Sequence, residues 1–74
     1  MKIGNIVMAQ RRDYKTEIAE IIRSPITPQL MLGRILDYHE HDIADALELL
    51  DKDERRRLYS LLDTEILSDV LEYS

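Results

Sequence analysis

The fold is decided by residues 39–72, which read HEHDIADALELLDKDERRRLYSLLDTEILSDVLE. Apolar residues recur in this stretch three and four positions apart, which is the spacing of a buried helical stripe. Asp51 stands three residues before Glu54, as in a capping box, and Asp63 can cap the helix that follows. The stretch therefore predicts three short helices, at 41–50, 52–62 and 64–73, and His39 is expected to act as a local cap before the first.

Two further helices are predicted upstream. An apolar stripe from Tyr14 to Ile22 indicates a helix at 12–23, which should end before Ser24-Pro25 because a residue that precedes proline avoids the helical region. Thr27 can cap and Pro28 can open a helix at 28–38, because the first helical position needs no amide proton.

The predicted fold class is all-α, an array of about five short helices that forms a superhelical bundle. Residues 1–11 have no clear period and are interpreted as a leader or frayed segment, so the helical module is 12–74. The predicted core collects the apolar residues of the five stripes: Ile18, Ile22, Leu32, Ile35, Leu36, Ile43, Leu47, Leu50, Leu58, Leu61, Leu62, Ile66 and Val70.

Helix-ending apolar pairs recur at Leu49-Leu50, Leu61-Leu62 and Val70-Leu71, which is a weak internal repeat typical of stacked helical units. A chain this small buries only about 60% of its unfolded surface, and its apolar stripes continue into the last predicted turn. We therefore expect the chain to be a fragment of a longer helical domain and to form a concentration-dependent homodimer.

Composition argues against several kinds of site. The chain of 74 residues has no Cys, which excludes disulfides, thiolate metal sites and cysteine nucleophiles. Two Gly, no Phe and no Trp leave no glycine-rich phosphate loop and no platform for stacked bases. No nucleophile–base pair is suggested by spacing, so we expect no enzyme. No signal peptide or apolar stretch of about 20 residues is present, so we expect no direct membrane insertion of this segment.

Charge is distributed unevenly along the chain. Residues 1–34 carry six Lys or Arg and three Asp or Glu, whereas residues 35–74 carry four and twelve, for a net charge of −5. An acidic surface repels phosphate backbones, so nucleic-acid binding is not expected and would depend on Arg11, Arg12, Lys15 and Arg23.

The run DERRR at 53–57 is interpreted as i,i+4 ion pairs such as Asp53 with Arg57. The tyrosines at 14, 38, 59 and 73 are interpreted as half-buried rim residues.

Asp42, Asp45 and Glu48 form an acidic stripe on the predicted helix at 41–50. Such a stripe is usually solvated, but its carboxylates are also the ligand type that hard divalent cations prefer. A zinc site at His39 and His41 is not favoured, because residues two apart diverge on a helix and no third strong ligand is spaced to meet them.

The quoted stretch resembles the N-terminal cytoplasmic domain of MgtE-type magnesium transporters. That family's pattern contains H-P-x-D-I-A, then E-x-R or E-R before L-F-x-L-L-D-P-E, then A-E-V-L. The matching residues are His39, Asp42, Ile43, Ala44, Glu54, Arg55, Leu58, Leu61, Leu62, Asp63, Glu65, Asp69, Val70 and Leu71. Glu40 and Thr64 replace prolines that usually open helices, and Tyr59 replaces a Phe.

The resemblance implies a cytoplasmic regulatory module of a magnesium transporter, at the cytoplasmic face of the cell membrane. In that family, magnesium is held between acidic faces of this domain and CBS domains and keeps the channel of the homodimer closed. With this resemblance, the expected metal residues are Asp42 and Asp45 of the acidic stripe and Asp69, which matches the acidic position of the A-E-V-L element. Magnesium would be bound weakly and shared with a partner domain. The partners would be the CBS and membrane domains of the same or a neighbouring chain.

A second hypothesis needs no metal. Arrays of short helices with charged faces also occur in helical-repeat interaction scaffolds such as FliG-type motor proteins. The sequence that follows Ser74 would distinguish the two hypotheses, since CBS domains and apolar spans favour the transporter and further helical repeats favour the scaffold.

Overall fold

The computed structural model describes residues 13–73, so the predicted leader at 1–11 lies outside the described residues. The described chain is all-helical. Its helices are α1 (Tyr14–Arg23), α2 (Pro28–Ile35), α3 (Glu40–Ala46), α4 (Lys52–Leu61) and α5 (Thr64–Glu72). A short 3-10 helix, Leu47–Leu49, continues α3. The all-α class and the five predicted helices are confirmed.

Each α-helix begins at a residue that can accept a hydrogen bond from its first turn. Asp13, Thr27, His39, Asp51 and Asp63 are the N-caps of α1 to α5, and each side chain accepts a backbone N–H. The capping box is present, since Asp51 Oδ1 accepts from the Glu54 amide at 2.8 Å and Glu54 Oε1 accepts from the Asp51 amide at 2.9 Å. Caps of this kind satisfy amides that have no partner inside the helix.

Two predicted helices end three or four residues beyond the observed ones. α2 ends at Ile35 rather than 38, and the α-helical part of α3 ends at Ala46 rather than 50. Beyond Ala46 the chain tightens into the 3-10 helix, and Leu50 is extended with φ −98° and ψ 141°. The extended residue is what allows Asp51 to start α4 in a new direction.

The helix α1 lies at the centre of the packing. It contacts α2, α3, the 3-10 helix and α4, whereas α5 packs against α3. Ile18 and Ile22 of α1 are fully buried, and Ala19 between them is 1% exposed. The small side chains of Ala19, Ala44 and Ala46 are all buried, which permits close contact between short helices.

The core differs from the predicted one in two ways. Leu36 is 47% exposed, so its assignment to the core is wrong. Leu32, Leu61 and Ile66 are half-buried and pack against the edge of the core. In α2 the buried pair is Met31 and Ile35. Leu32 and Leu36 form a second apolar stripe, next to that of Met31 and Ile35. Because both stripes are apolar with the same spacing, the sequence does not indicate which of the two faces the core. The buried residues that the prediction omitted are Ala19, Met31, Ala44 and Ala46.

Arginines of α1 and α4 donate hydrogen bonds to backbone carbonyls near the ends of other helical segments. Arg55 Nε donates to the Leu47 carbonyl at 2.9 Å, and Arg57 Nη1 donates to the Ile22 carbonyl at 2.8 Å. Arg23 Nη2 donates to the Leu49 carbonyl at 2.7 Å. The Ile22 and Leu49 carbonyls lie in the last turns of their helices, where carbonyls lack a partner inside the helix. The Leu47 carbonyl also accepts the Leu50 amide at 3.2 Å. The predicted Asp53–Arg57 ion pair is not formed, because the Arg57 guanidinium reaches α1 instead.

Candidate functional site

Three side chains on α3 bring possible metal ligands together. One ligand atom each from His41, Asp42 and Asp45 can be chosen so that all lie within 4.8 Å of one another. The residues are related by one turn of helix, since Asp45 follows His41 by four positions and Asp42 by three. His41 is exposed and the two aspartates are half-buried. This group is called the α3 triad below.

His39, next to the triad, has a different role. Its Nδ1 accepts the backbone N–H of His41 at 2.9 Å, so His39 caps α3 as the sequence predicted. The His41 ring packs edge-on against Tyr73, with centroids 5.2 Å apart and an interplanar angle of 72°. The contact places the last turn of the chain beside the triad and restricts the orientation of the imidazole.

Asp42 also lines an open cleft of about 540 Å³ between α1, the end of α2 and the start of α3. Arg34, Asp37 and Tyr38 line the same cleft. Tyr38 donates its hydroxyl to Glu17 Oε1 at 2.7 Å and packs edge-on against Tyr14 at 5.8 Å. The cleft therefore contains charges of both signs, and the Arg34 guanidinium provides a cation that can balance the carboxylates.

The predicted metal residues are not all in one place. Asp42 and Asp45 are neighbours in the triad, whereas Asp69 is exposed on α5 and is not a member of the group found among residues 13–73. His41 was missed in the sequence interpretation, which compared it with His39 two positions away. The usable pattern was His41 with Asp45, because residues four apart lie on one helix face.

The donor set fits a divalent cation. Two carboxylates suit a hard ion such as magnesium, which retains several waters and takes one or two protein carboxylates. An imidazole nitrogen suits transition metals better. Asp42 and Asp45 are thus the residues that could hold magnesium, and His41 offers a ligand for a softer ion. Any remaining protein ligands would come from a second surface.

The other titratable groups with shifted pKa values belong to structural contacts. The hydrogen bond from Arg23, 2.8 Å from Nε to Glu54 Oε2, and the amide of Asp51 hold the pKa of Glu54 below its ordinary value of 4.5. The hydroxyl and amide of Thr16 lower the pKa of Asp13 from 3.8. The bond to Glu54 raises the pKa of Arg23, which stays charged.

Two serine hydroxyls are engaged with backbone rather than with a base. Ser24 Oγ donates to the Ile21 carbonyl at 2.6 Å and Ser60 Oγ to the Arg57 carbonyl at 2.7 Å.

Tyr38 and Tyr59 are half-buried as predicted, whereas Tyr14 and Tyr73 are exposed.

None of the helices in the described part of the chain is long and apolar enough to cross a membrane.

No protein-family model, curated protein or solved structure matches this chain.

Proposed function

We propose that this chain is a magnesium-responsive regulatory module, resembling the N-terminal domain of MgtE-type transporters, that acts at the cytoplasmic face of a membrane. The observation that carries the proposal is the convergence of Asp42 and Asp45 on one face of α3. Asp42 also matches the H-P-x-D-I-A element of the family pattern, whereas Asp45 is included because it lies on the same helical stripe as Asp42.

The regulation follows from charge. The chain has a net charge of −5, and a partner surface that is also acidic is repelled when no cation is present. A magnesium ion between the carboxylates of Asp42 and Asp45 and those of the partner replaces repulsion by attraction. Because one or two half-buried carboxylates offset little of the dehydration of magnesium, the chain alone binds the ion weakly. The docked state then responds to magnesium concentration.

Asp69 has a secondary place in this proposal. It lies on α5, which packs against α3, and it is exposed. From there it can contribute to the acidic surface that faces the partner, without sharing the ion held by the α3 triad. The partners proposed are CBS domains and a membrane domain of the same or a neighbouring chain, in a homodimer.

The proposal is tested in the gene product that contains this chain. Its sequence must include CBS domains and apolar membrane spans, and a product without them contradicts the proposal. Magnesium should then protect the junction between this module and the CBS domains from protease. Changing Asp42, Asp45 and Asp69 to Asn should reduce that protection, and a triple variant that keeps all of it removes these residues from the site.

A helical-repeat interaction scaffold resembling FliG-type proteins is the second candidate. The observation that favours it is the number of large apolar side chains left exposed: Tyr14, Leu30, Leu36, Leu49, Leu71 and Tyr73. Partner binding that depends on these side chains and is indifferent to magnesium would support the scaffold.

A further inference from the structure

A basic groove runs along α4, in the half of the sequence that contains most of the acidic residues. Lys52, Arg55, Arg56 and Tyr59 line it together with Leu50, and its volume is about 530 Å³. The four α4 residues are spaced i, i+3, i+4 and i+7, so they form one stripe along the helix. The stripe is about 10 Å long at the rise of an α-helix.

The cations of this groove are not neutralised within the described chain. Among residues 13–73 the side chains of Lys52 and Arg56 form no ion pair or hydrogen bond, and Arg55 uses Nε for the Leu47 carbonyl. Lys52, Arg55 and Arg56 are all exposed. The neighbouring Arg57, by contrast, donates a hydrogen bond to the Ile22 carbonyl of α1. The fold therefore uses one side of α4 for packing and leaves the other with unpaired positive charge.

The groove also has an apolar component. Leu50 is buried and Tyr59 is half-buried, so the cations lie beside an aromatic ring and a leucine. Such a combination suits a polypeptide with carboxylates and an apolar side chain, because the apolar contact supplies affinity and the charges supply orientation.

Other occupants fit the charge pattern less well. A phosphate chain carries a charge on every unit, so it also meets the carboxylates of Asp51 and Asp53 beside the groove, whereas a peptide can place its carboxylates opposite the cations alone. Residues 1–12 contain Lys2, Arg11 and Arg12 and no acidic side chain, so that segment is not complementary in charge. A second copy of the chain brings a net charge of −5 against a net charge of −5.

We infer that this groove docks an acidic segment of another polypeptide, which places two carboxylates one helical turn apart against Lys52, Arg55 and Arg56, and an apolar side chain against Leu50 and Tyr59. The surface is separate from the α3 triad, and the inference does not depend on metal binding.

The test uses the full 74-residue chain and a fluorescein-labelled probe peptide, acetyl-AEALEEALAEALEE-amide. Fluorescence anisotropy should show saturable binding that weakens as salt is raised. The double variant Lys52→Glu with Arg56→Glu should bind at least about tenfold more weakly. The matched control, Lys15→Glu with Arg34→Glu, makes the same change in net charge on other exposed positions and should stay within about twofold of the parent. Circular dichroism confirms that both variants remain folded.

Several results would overturn the inference. The first is that the parent chain shows no saturable binding of the peptide. The second is that both double variants lose the same amount of affinity, and the third is that the parent binds equally well a peptide with Gln in place of every Glu. Tighter binding of poly-uridylate RNA or of phosphatidylglycerol vesicles would assign the groove to phosphate ligands. A parent dimer that dissociates when Lys52 and Arg56 are reversed would assign it to a second copy.

Discussion

Replacing Leu58 by Ala should remove a large share of the stability of this protein. Leu58 is 0% exposed on α4, which packs against α1. A buried Leu→Ala change costs about 2 to 5 kcal/mol, through lost transfer free energy and the cavity left behind. A domain of this size has a total stability of about 4 to 11 kcal/mol, so the variant should lose roughly half of it.

The matched control is Leu36→Ala. The sequence places Leu36 and Leu58 in the core alike, but in the structure Leu36 is 47% exposed at the end of α2. The same loss of three carbon atoms there should cost less than about 1 kcal/mol. Urea unfolding followed by far-ultraviolet circular dichroism measures both changes. If Leu36→Ala costs as much as Leu58→Ala, the orientation of α2 described above is incorrect.

Three further predictions concern local features. The free energy of unfolding should fall as the pH drops below about 4.5, because the pKa of Glu54 is lower in the folded state, chiefly through the hydrogen bond from Arg23. The ionised Glu54 stabilises the fold above its unfolded-state pKa, and this stabilisation is lost as the pH falls through its folded-state pKa. In acid titrations of unfolding, Glu54→Gln should therefore show a shallower decline than the parent. Asp63→Ala should lower the stability by about 0.5 to 2 kcal/mol by removing the cap of α5, whereas Asp63→Asn should retain most of it in thermal melts. Gly33→Ala should stabilise the protein by about 0.5 to 1 kcal/mol, since Gly33 is inside α2 without a positive φ and an added Cβ meets no atom within 4 Å; a lower melting temperature would contradict this.

The helices could be predicted from the sequence because their starts are encoded locally. Thr27-Pro28, the Asp51–Glu54 box and Asp63 each act within three residues, and each predicted cap is formed. The orientation of α2 could not be predicted, because two adjacent stripes on it are apolar. The buried alanines were missed for a related reason, since a search for large apolar residues does not detect the small ones that let helices approach.

The hydrogen bonds of the arginine side chains could not be predicted from helical spacing. Arg55, Arg23 and Arg57 reach carbonyls that are 8, 26 and 35 residues away in sequence, whereas helical spacing describes only neighbours three and four apart. The candidate site shows the same limit. Asp42 and Asp45 could be paired from their spacing, but the separation of Asp69 from them depends on how α5 packs on α3.

The most direct measurement of the central claim is a magnesium titration of the 15N-labelled chain followed by amide NMR shifts. We expect weak, saturable shifts in the millimolar range, centred on residues 41–45, that disappear in Asp42→Asn with Asp45→Asn. The control Glu20→Gln with Asp53→Asn removes the same charge from two exposed positions outside α3 and should leave the shifts intact. Shifts that are spread over all acidic residues, or that persist unchanged in the Asp42 and Asp45 variant, would contradict a magnesium site on α3.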